Sequence, residues 1–318
     1  MVKTRKVVLV GTGFVGMSMA YALLNRGGIN ELVLIDIAKD KTVGEAMDVS
    51  HGIPFAPGNM KVKAGEYDEC KDADIVVVTA GFPQKPGQTR LDLAKSNTQI
   101  MKEITESVMK SGFDGIFVIA SNPVDLMSYV VQKVSKLPKE RVIGTGTLLD
   151  TARLRYMIGE KFGVSSKDVQ AYIMGEHGDS SFVPWTHTYI GCKSLMEIYK
   201  EQNKDVKELE QIHVDVVNAA YEIINKKRAT YYGIGVSLSR LIEAIFNDEN
   251  AVLPVSTLLN GEYGNKDIYI GVPAIINKNG VKEIIQLELN SEEQEKFNNS
   301  VNTLKEMAES EINPIING

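Results

Sequence analysis

The sequence contains little cysteine, no strong excess of charge of either sign and no long apolar run. Its two cysteines, Cys70 and Cys192, share neither metal-ligand nor redox spacing, which argues against a disulfide framework or a metal site and fits a reducing compartment. The net charge of −6 is spread without long blocks of one sign, which argues against nucleic acid as the main partner. No apolar run reaches the roughly 18–20 residues of a membrane helix, so no membrane partner is predicted.

The beginning of the chain and its length bear on location and domain number. The segment MVKTRKVVLVG leads into a strand pattern within a few residues, so no signal peptide is expected and the protein should be cytoplasmic. At 318 residues the chain exceeds the usual size of one hydrophobic core, which favours two domains. The pattern of elements changes near residue 145, so we expect domains at 1–145 and 146–318 with a site between them.

The first half alternates short apolar runs with helical segments, a pattern typical of parallel βαβ units and a Rossmann-type doubly wound sheet. The second half predicts an α+β domain with a mixed or antiparallel sheet. The predicted strands are residues 6–10, 31–35, 75–79, 116–120 and 141–144, then 172–174, 252–259, 267–276 and 281–286. The predicted helices are about 14–26, 40–50, 91–111 and 124–135, then 147–162, 205–226, 230–247 and 291–312.

A glycine motif follows the first strand directly. Gly11, Gly13 and Gly16 form GxGxxG before a helical segment, which permits a tight turn, close approach to a pyrophosphate and helix–strand packing. Asp36 ends the next strand, where a carboxylate can accept hydrogen bonds from ribose hydroxyls and repel a 2′-phosphate. The pattern predicts NAD as the cofactor. The alternative is a glycine turn in an α/β domain that binds no nucleotide.

Two polar segments of the second half hold candidate catalytic residues. Asp150 and Arg153 are three apart at the start of a predicted helix, and His177 follows a predicted strand in a glycine-flanked turn. Histidine is a natural proton donor near neutral pH, a neighbouring carboxylate would orient it, and arginine binds a carboxylate with two parallel hydrogen bonds. Each residue also has an ordinary explanation: a structural histidine, a helix N-cap for Asp150, and a solvated basic face for Arg153 with Arg155. The other histidines are interpreted as structural or surface residues.

The segments GTGFVG, LIDI, AGFPQKPGQTR, SNPVD, LDTARLR, GEHGDS and ATYYGIG together resemble the L-lactate/malate dehydrogenase family along the whole chain, and within it the bacterial L-lactate type. The resemblance implies a reversible hydride transfer between NADH and pyruvate that gives L-lactate. It implies His177 as the acid/base, Asp150 as its orienting partner and Arg153 as the group that holds the substrate carboxylate. Arg90 would lie on a loop, residues 81–90, that closes over the site.

The resemblance also implies a wider set of binding residues. Gln84, Arg90, Asn122, Arg153 and Thr230 would contact substrate, and the Asn122–Pro123 bond would be cis. Around the cofactor, besides the glycines and Asp36, the matching positions are Val15, Lys41, Tyr67, Gly81, Phe82, Ala120, Asn122 and Thr145.

One loop position bears on the choice between lactate and malate. Malate-type enzymes of the family carry arginine before the KPG of the loop, whereas this chain has Gln84. A neutral amide cannot pair with a second carboxylate, whose burial without a partner is strongly unfavourable. Pyruvate and lactate are therefore favoured. The alternatives are a malate dehydrogenase, a broader L-2-hydroxyacid dehydrogenase, and an NAD-binding module without activity.

Regulation and assembly rest on the resemblance alone. Many bacterial relatives are activated by fructose 1,6-bisphosphate through an arginine and a histidine on each chain. Arg155 matches the arginine, but Gln170 occupies the histidine position and supplies no positive charge. Activation is thus left open, and would be weaker where present. The resemblance also implies a homotetramer.

Overall fold

The computed structural model describes residues 4–82 and 90–316, with the backbone alone for residues 90–92. Six strands of the first half form a parallel sheet whose order in space is β3-β2-β1-β4-β5-β6. The strands are β1 (Lys6–Val10), β2 (Glu31–Ile35), β3 (Lys61–Ala64), β4 (Ile75–Val78), β5 (Ile116–Ile119) and β6 (Val142–Gly144). Helices α1 (Phe14–Arg26), α2 (Lys39–His51), α3 (Arg90–Lys110) and α4 (Val124–Ser135) lie between them. The predicted doubly wound sheet is confirmed.

The apolar runs form strands because both faces of the sheet are covered. Every residue of β1, β4 and β5 is buried, and separate apolar clusters pack on the two faces. The sequence analysis missed β3, whose residues alternate lysine with small apolar side chains. This strand pairs with β2 alone at the edge of the sheet, so its pattern is that of a half-exposed strand.

The second half contains helices and antiparallel strands. Its helices are α5 (Leu148–Phe162), α6 (Leu195–Glu201), α7 (Glu208–Lys227), α8 (Tyr232–Phe246), α9 (Ser291–Met307) and α10 (Asn313–Ile316), with a π-helical turn at Ala308–Ile312 before α10. A small antiparallel sheet contains β7 (Val169–Gln170), β8 (Tyr189–Ile190) and β9 (Lys193–Ser194). Three longer antiparallel strands are β10 (Ala251–Asn260), β11 (Lys266–Asn277) and β12 (Gly280–Ile284). This confirms the predicted α+β organisation.

The long antiparallel strands continue the parallel sheet. Ser256 of β10 pairs with Gly144 of β6, so one sheet of nine strands runs across residue 145. The prediction of a strand at residues 172–174 is wrong: there Met174 makes an isolated bridge to Phe182, and Gly175 makes one to Gly271. Gly175 has a φ of +97°, which bends the chain away from an extended course.

The loops that follow the parallel strands begin along one edge of the sheet. The carboxyl ends of parallel strands share an edge, and ligands of doubly wound sheets bind there, where the strand order reverses. In this chain β1 lies between β2 and β4, so the reversal falls at the glycine motif. Within the described ranges, no helix is both long enough and apolar enough to cross a membrane.

Helix α8 packs directly on α1, with Gly235 at the contact. A Cβ added to Gly235 would lie 2.6 Å from Ser18 Cβ and 2.9 Å from the Met19 nitrogen. Such distances are too short for real carbon contacts, and one of the two contacts is with backbone that cannot rotate away. The glycine therefore sets how closely the two helices approach.

Gly235→Ala is expected to lower the free energy of unfolding by about 1–3 kcal/mol, the usual cost of overpacking, as measured by urea unfolding. Gly44→Ala in α2 is the matched control, because its new Cβ would have no described heavy atom within 4 Å. That control should raise stability by about 0.4–1 kcal/mol. Equal effects of the two substitutions would contradict this account of the helix contact.

Candidate active site

The three motif glycines have different surroundings. Gly11 has a φ of +106°, and an added Cβ would lie 2.6 Å from the Ala80 nitrogen. An added Cβ at Gly16 would collide with the Gly11 carbonyl oxygen and lie 2.8 Å from Thr79 Oγ1. Gly13 differs, because a Cβ added there would have no described heavy atom within 4 Å. Gly11 and Gly16 are thus required by packing, while Gly13 faces open space.

Asp36 connects the glycine loop to the end of β2. Its carboxylate accepts hydrogen bonds from the amides of Thr12 at 2.7 Å and Ala38 at 3.0 Å, and Lys41 Nζ donates to the Thr12 carbonyl at 2.6 Å. Burial would raise the pKa of Asp36, but the two amides, the Thr12 hydroxyl and the Lys41 charge outweigh it, so the pKa is lowered. Asp36 is therefore ionised at neutral pH.

The loop fits a dinucleotide. The first turn of α1 begins after Gly13, and no side chain of the described chain caps it, so its amides can bind phosphate oxygens. The open space at Gly13 allows close approach of a pyrophosphate. A carboxylate oxygen can accept more than one hydrogen bond, so Asp36 can bind ribose hydroxyls while it holds the loop.

The remaining predicted cofactor residues follow the carboxyl ends of the strands or lie near Asp36. Ala120 follows β5, Thr145 follows β6, and their amides extend the ladder to Val78 O at 2.9 Å and Ile119 O at 2.8 Å. Val15 lies in the first turn of α1. Burial is the main cause that raises the pKa of Tyr67, and the nearby negative charge of Asp36 adds to it.

Asn97 of α3, which the sequence analysis missed, joins two of these segments. Its side chain accepts from the Phe82 amide at 2.8 Å and donates to the Asn122 carbonyl at 2.7 Å. Gly81 also lies against it, because an added Cβ there would be 3.3 Å from the Asn97 amide. The Asn122–Pro123 bond is cis, as predicted. Asn97 therefore fixes the chain after β4 to the chain after β5.

His177, Asp150 and Arg153 are brought together as predicted. His177 Nδ1 lies 2.6 Å from Asp150 Oδ2, and Arg153 Nη1 lies 2.9 Å from Asp150 Oδ1. The N-cap of α5 is Thr147, so Asp150 lies in the first turn and the N-cap explanation for it is wrong. Because an ionised carboxylate only accepts hydrogen bonds, Nδ1 of His177 carries the proton and Nε2 is directed elsewhere.

The electrostatics favour a charged pair. Burial would lower the pKa of His177, but the charge of Asp150 and its hydrogen bond outweigh it, so the pKa is raised. Burial would raise the pKa of Asp150, but His177 and Arg153 together lower it. About 27% of the His177 side chain is exposed, against 15% for Asp150, so the imidazole is the accessible member.

A second carboxylate, Asp125, lies behind His177 and was missed. It is 2% exposed at the start of α4. It accepts from the His177 amide at 2.8 Å and from Ser256 Oγ at 2.5 Å. Burial, the largest effect, raises the pKa of Asp125 to about 6, and the Ser256 and His177 hydrogen bonds oppose it. The signal in the sequence was the SNPVD segment, but nothing in its spacing pointed to His177.

The other predicted residues lie on separate elements. Arg155 Nε donates to the Ala171 carbonyl at 3.0 Å, and its guanidinium lies 5.1 Å from the centre of the Tyr172 ring. Gln170 is exposed on β7, and Thr230 lies in the turn between α7 and α8. Gln84 and the side chain of Arg90 lie outside the described residues.

Asp125→Asn should lower the pKa of His177, because it keeps an oxygen acceptor for the His177 amide but removes the negative charge that favours the imidazolium. The pKa of Asp125 is about 6, so its carboxyl is ionised at neutral pH, and its charge is one of the causes that raise the pKa of His177. The measurement is a histidine-ring NMR titration.

Asp179→Asn is the control, because Asp179 is an exposed carboxylate two residues from His177 and solvent screens its charge. It should leave the His177 titration almost unchanged. An identical His177 pKa in the wild type and in Asp125→Asn would show that Asp125 does not act on the ring through its charge.

Comparisons with known proteins identify the family of the chain. Residues 5–144 match the family model for the lactate/malate dehydrogenase NAD binding domain, and residues 147–313 match its alpha/beta C-terminal domain. L-lactate dehydrogenase 1 of Bacillus cereus is 54% identical, and L-lactate dehydrogenase 2 of Bacillus anthracis is 56% identical. Each alignment covers 95% of this chain and 96% of the relative.

Solved structures are similar over the same extent. The minor L-lactate dehydrogenase of Enterococcus mundtii in its ligands-bound form has a TM-score of 0.95 and 52% identity, covering 97% of this chain and 98% of that one. A lactate dehydrogenase from a Medee basin deep-sea metagenome library has a TM-score of 0.93 and 51% identity, covering 96% and 98%. With both family models matched in order across nearly all of its length, the chain belongs to the lactate/malate dehydrogenase family.

Proposed function

We propose that this protein is an NAD-dependent L-lactate dehydrogenase that interconverts pyruvate and L-lactate. The observation that carries the proposal is the hydrogen-bonded group of His177, Asp150 and Arg153. Asp125, in the first turn of α4, accepts a hydrogen bond from the His177 amide. This bond connects the group to the edge of the sheet where the glycine loop lies. The names of the similar proteins support the same activity. In this proposal residues 1–145 bind NAD and residues 146–318 supply the catalytic and substrate-binding groups.

Arg153 binds the substrate carboxylate. Its side chain is 13% exposed, and its bond to Asp150 uses one of the guanidinium nitrogens. A guanidinium has five N–H donors in a planar fork, so donors are available for a bidentate bond to a carboxylate. Asp150 thus orients the arginine as well as the histidine. Asn122 and Thr230 complete the substrate contacts in this proposal, with Gln84 and Arg90 from the loop.

His177 is the proton donor in pyruvate reduction. NADH, when bound, supplies the hydride that reaches the carbonyl carbon of pyruvate. The Nε2–H of protonated His177 transfers its proton to the carbonyl oxygen, which becomes the hydroxyl of lactate. Asp150 holds Nδ1–H and stabilises the charged ring before the transfer. Arg90 would place positive charge near the carbonyl oxygen, where negative charge develops.

The raised pKa of His177 sets the direction of the pH dependence. Reduction of pyruvate requires the protonated ring, so it should fall as pH rises through the raised pKa. Oxidation of lactate requires the neutral ring and should change in the opposite sense. The same pair stabilises the fold: the contribution from His177 is lost as pH rises through its raised pKa, and that from Asp150 is lost as pH falls through its lowered pKa.

Malate dehydrogenase activity is the second candidate, because the family models cover both activities. Gln84 favours pyruvate, since oxaloacetate would bring a second carboxylate that a neutral amide cannot pair. A dehydrogenase of larger L-2-hydroxy acids is a third candidate with the same chemistry. The test follows NADH absorbance in parallel with pyruvate, oxaloacetate and a branched 2-keto acid.

In that assay the wild type should prefer pyruvate, and Gln84→Arg should shift the ratio of kcat/KM values towards oxaloacetate by about tenfold or more. A hydrogen bond between charged groups is worth about 1.5–3 kcal/mol, and each 1.4 kcal/mol is a factor of ten. Gln84→Lys is the control for charge without the bidentate fork. Full selectivity for pyruvate in both variants would refute the charge-balance argument, and no turnover of any keto acid by the wild type would refute the proposed function.

We propose a homotetramer in the cytoplasm, serving glycolysis and fermentation. Large apolar side chains are exposed on and around α2: Ile37 is 99% exposed, Phe55 is 95% exposed, and Met47 is 55% exposed. Apolar surface of this kind is commonly covered in assemblies.

The proposed location in the cytoplasm rests on the cysteines. Cys70 and Cys192 are both unpaired, which suits a reducing compartment.

Fructose 1,6-bisphosphate is proposed as a weak activator. Arg155 is held against Tyr172 and the Ala171 carbonyl, and Gln170 offers a neutral donor one residue away from that carbonyl.

A titration of activity with this sugar bisphosphate at neutral pH should show modest activation. Gln170→His should lower the half-activating concentration about fivefold below the histidine pKa, because a charged donor gains about 1 kcal/mol over a neutral one. Gln170→Ala, which has no donor, serves as the control. A flat response of the wild type would exclude the regulation.

A further inference from the structure

An aromatic cluster joins the glycine loop to the turn that carries Thr230. Phe14, the first residue of α1, stacks on Tyr231 with ring centroids 5.1 Å apart and planes 26° apart. Tyr231 makes an edge contact with Tyr232 at 4.4 Å. Lys227 Nζ lies 3.5 Å from the centre of the Tyr231 ring and 4.1 Å from that of Tyr232. The cluster therefore spans two segments more than 200 residues apart in the chain.

One side of this contact is part of the nucleotide loop. Phe14 follows Gly13 directly, and the Met17 amide donates to the Gly13 carbonyl at 2.9 Å, which closes the first turn of α1. The backbone of Phe14 therefore moves with the turn whose amides are available to phosphate oxygens. Its side chain is 71% exposed, so few other contacts compete with the stacking on Tyr231.

The other side is the connection between α7 and α8. Helix α7 ends at Lys227, and Arg228 adopts a left-handed conformation with a φ of +70°. Thr230 and Tyr231 follow, and α8 begins at Tyr232. Lys227 and Tyr232 flank this short turn, and Tyr231, its last residue, attaches it to Phe14. A change in the first turn of α1 can therefore reach Thr230 through one ring contact.

The helices beneath the cluster are fixed relative to each other. Gly235 of α8 lies so close to Ser18 of α1 that a Cβ would meet it at 2.6 Å. The start of α8 cannot shift along α1 without separating these backbones. Because the base is rigid, ordering of the exposed rings has its effect on the turn before α8 and not on the helix itself.

We propose that Phe14 is a positioning residue that couples nucleotide binding to keto-acid binding through its stacking on Tyr231. The inference rests on the proposed function. Phosphate bound at the first turn of α1 orders Phe14, the ordered ring holds Tyr231, and Thr230 is then held in place for substrate. Coupling of this kind is reciprocal, so bound keto acid must strengthen nucleotide binding by the same factor.

Phe14→Leu tests the proposal, because leucine keeps an apolar helical side chain but removes the ring. NADH binding is titrated by its fluorescence with and without oxamate, the amide analogue of pyruvate that accepts no hydride. The ratio of the two dissociation constants should fall about threefold to tenfold in Phe14→Leu, the value of one aromatic pair. The KM for pyruvate at saturating NADH should rise by the same factor, with kcat changed less than twofold.

Two variants serve as controls. Phe14→Tyr keeps the ring and should keep the wild-type ratio. Tyr21→Leu removes a ring that is 64% exposed on the same helix and should also leave the ratio unchanged. In a double-mutant cycle, Phe14→Leu combined with Tyr231→Leu should lose no more coupling than either substitution alone. An unchanged ratio in Phe14→Leu, or an equal fall in Tyr21→Leu, would overturn the proposal.

A further measurement separates this inference from the proposed function. NADH alone should slow amide deuterium exchange in residues 228–232 of the wild type, and should slow it much less in Phe14→Leu. No substrate is needed, so the result holds whichever keto acid the enzyme reduces. Equal slowing in both proteins would overturn the coupling, while turnover of pyruvate by the wild type tests the proposed function by itself.

Discussion

The geometry of the candidate site depends on the hydrogen bonds that the buried Asp125 carboxylate accepts. This carboxylate is buried where three segments meet: the start of α4, the turn that carries His177, and β10 through Ser256. A buried carboxylate is costly unless its oxygens accept hydrogen bonds. Here one oxygen accepts from a backbone amide and the other from a hydroxyl. The cost of burying this group is offset only in the arrangement that also places His177 beside Asp150.

Three charged side chains around His177 together set the direction in which its pKa is shifted. Asp150 and Asp125 favour the imidazolium, whereas burial and Arg153 oppose it, and the net effect is a raised pKa. The two carboxylates differ because Asp150 is compensated by two cationic side chains and keeps a lowered pKa. Asp125 accepts its hydrogen bonds from a neutral hydroxyl and a backbone amide, and its burial raises its pKa to about 6. Similar side chains thus acquire different proton affinities from their immediate neighbours.

Much of this could be read from the sequence, because the informative features are local. The short apolar runs marked β1, β4 and β5. The spacing of Gly11, Gly13, Gly16 and Asp36 marked the nucleotide loop. The pairing of Asp150 with Arg153 followed from helical periodicity.

The features that were missed depend on long-range contacts. Asp125 meets His177 across 52 residues and Asn97 meets Asn122 across 25, and no local pattern records such a meeting. The edge strand β3 and the two-residue strands β7–β9 are too short or too polar to show a clear period. The region around residue 173 reads as a strand by composition, but Gly175 bends it.

The continuity of the sheet across β6 and β10 has a mechanical consequence. Gly144 faces Ser256 in the ladder, and Gly146, with a φ of +48°, lies against the backbone of the same strand. A hinge motion between the two halves of the chain would break the contacts of Gly144 and Gly146 with β10. The shared sheet therefore opposes a rigid-body opening between the two halves.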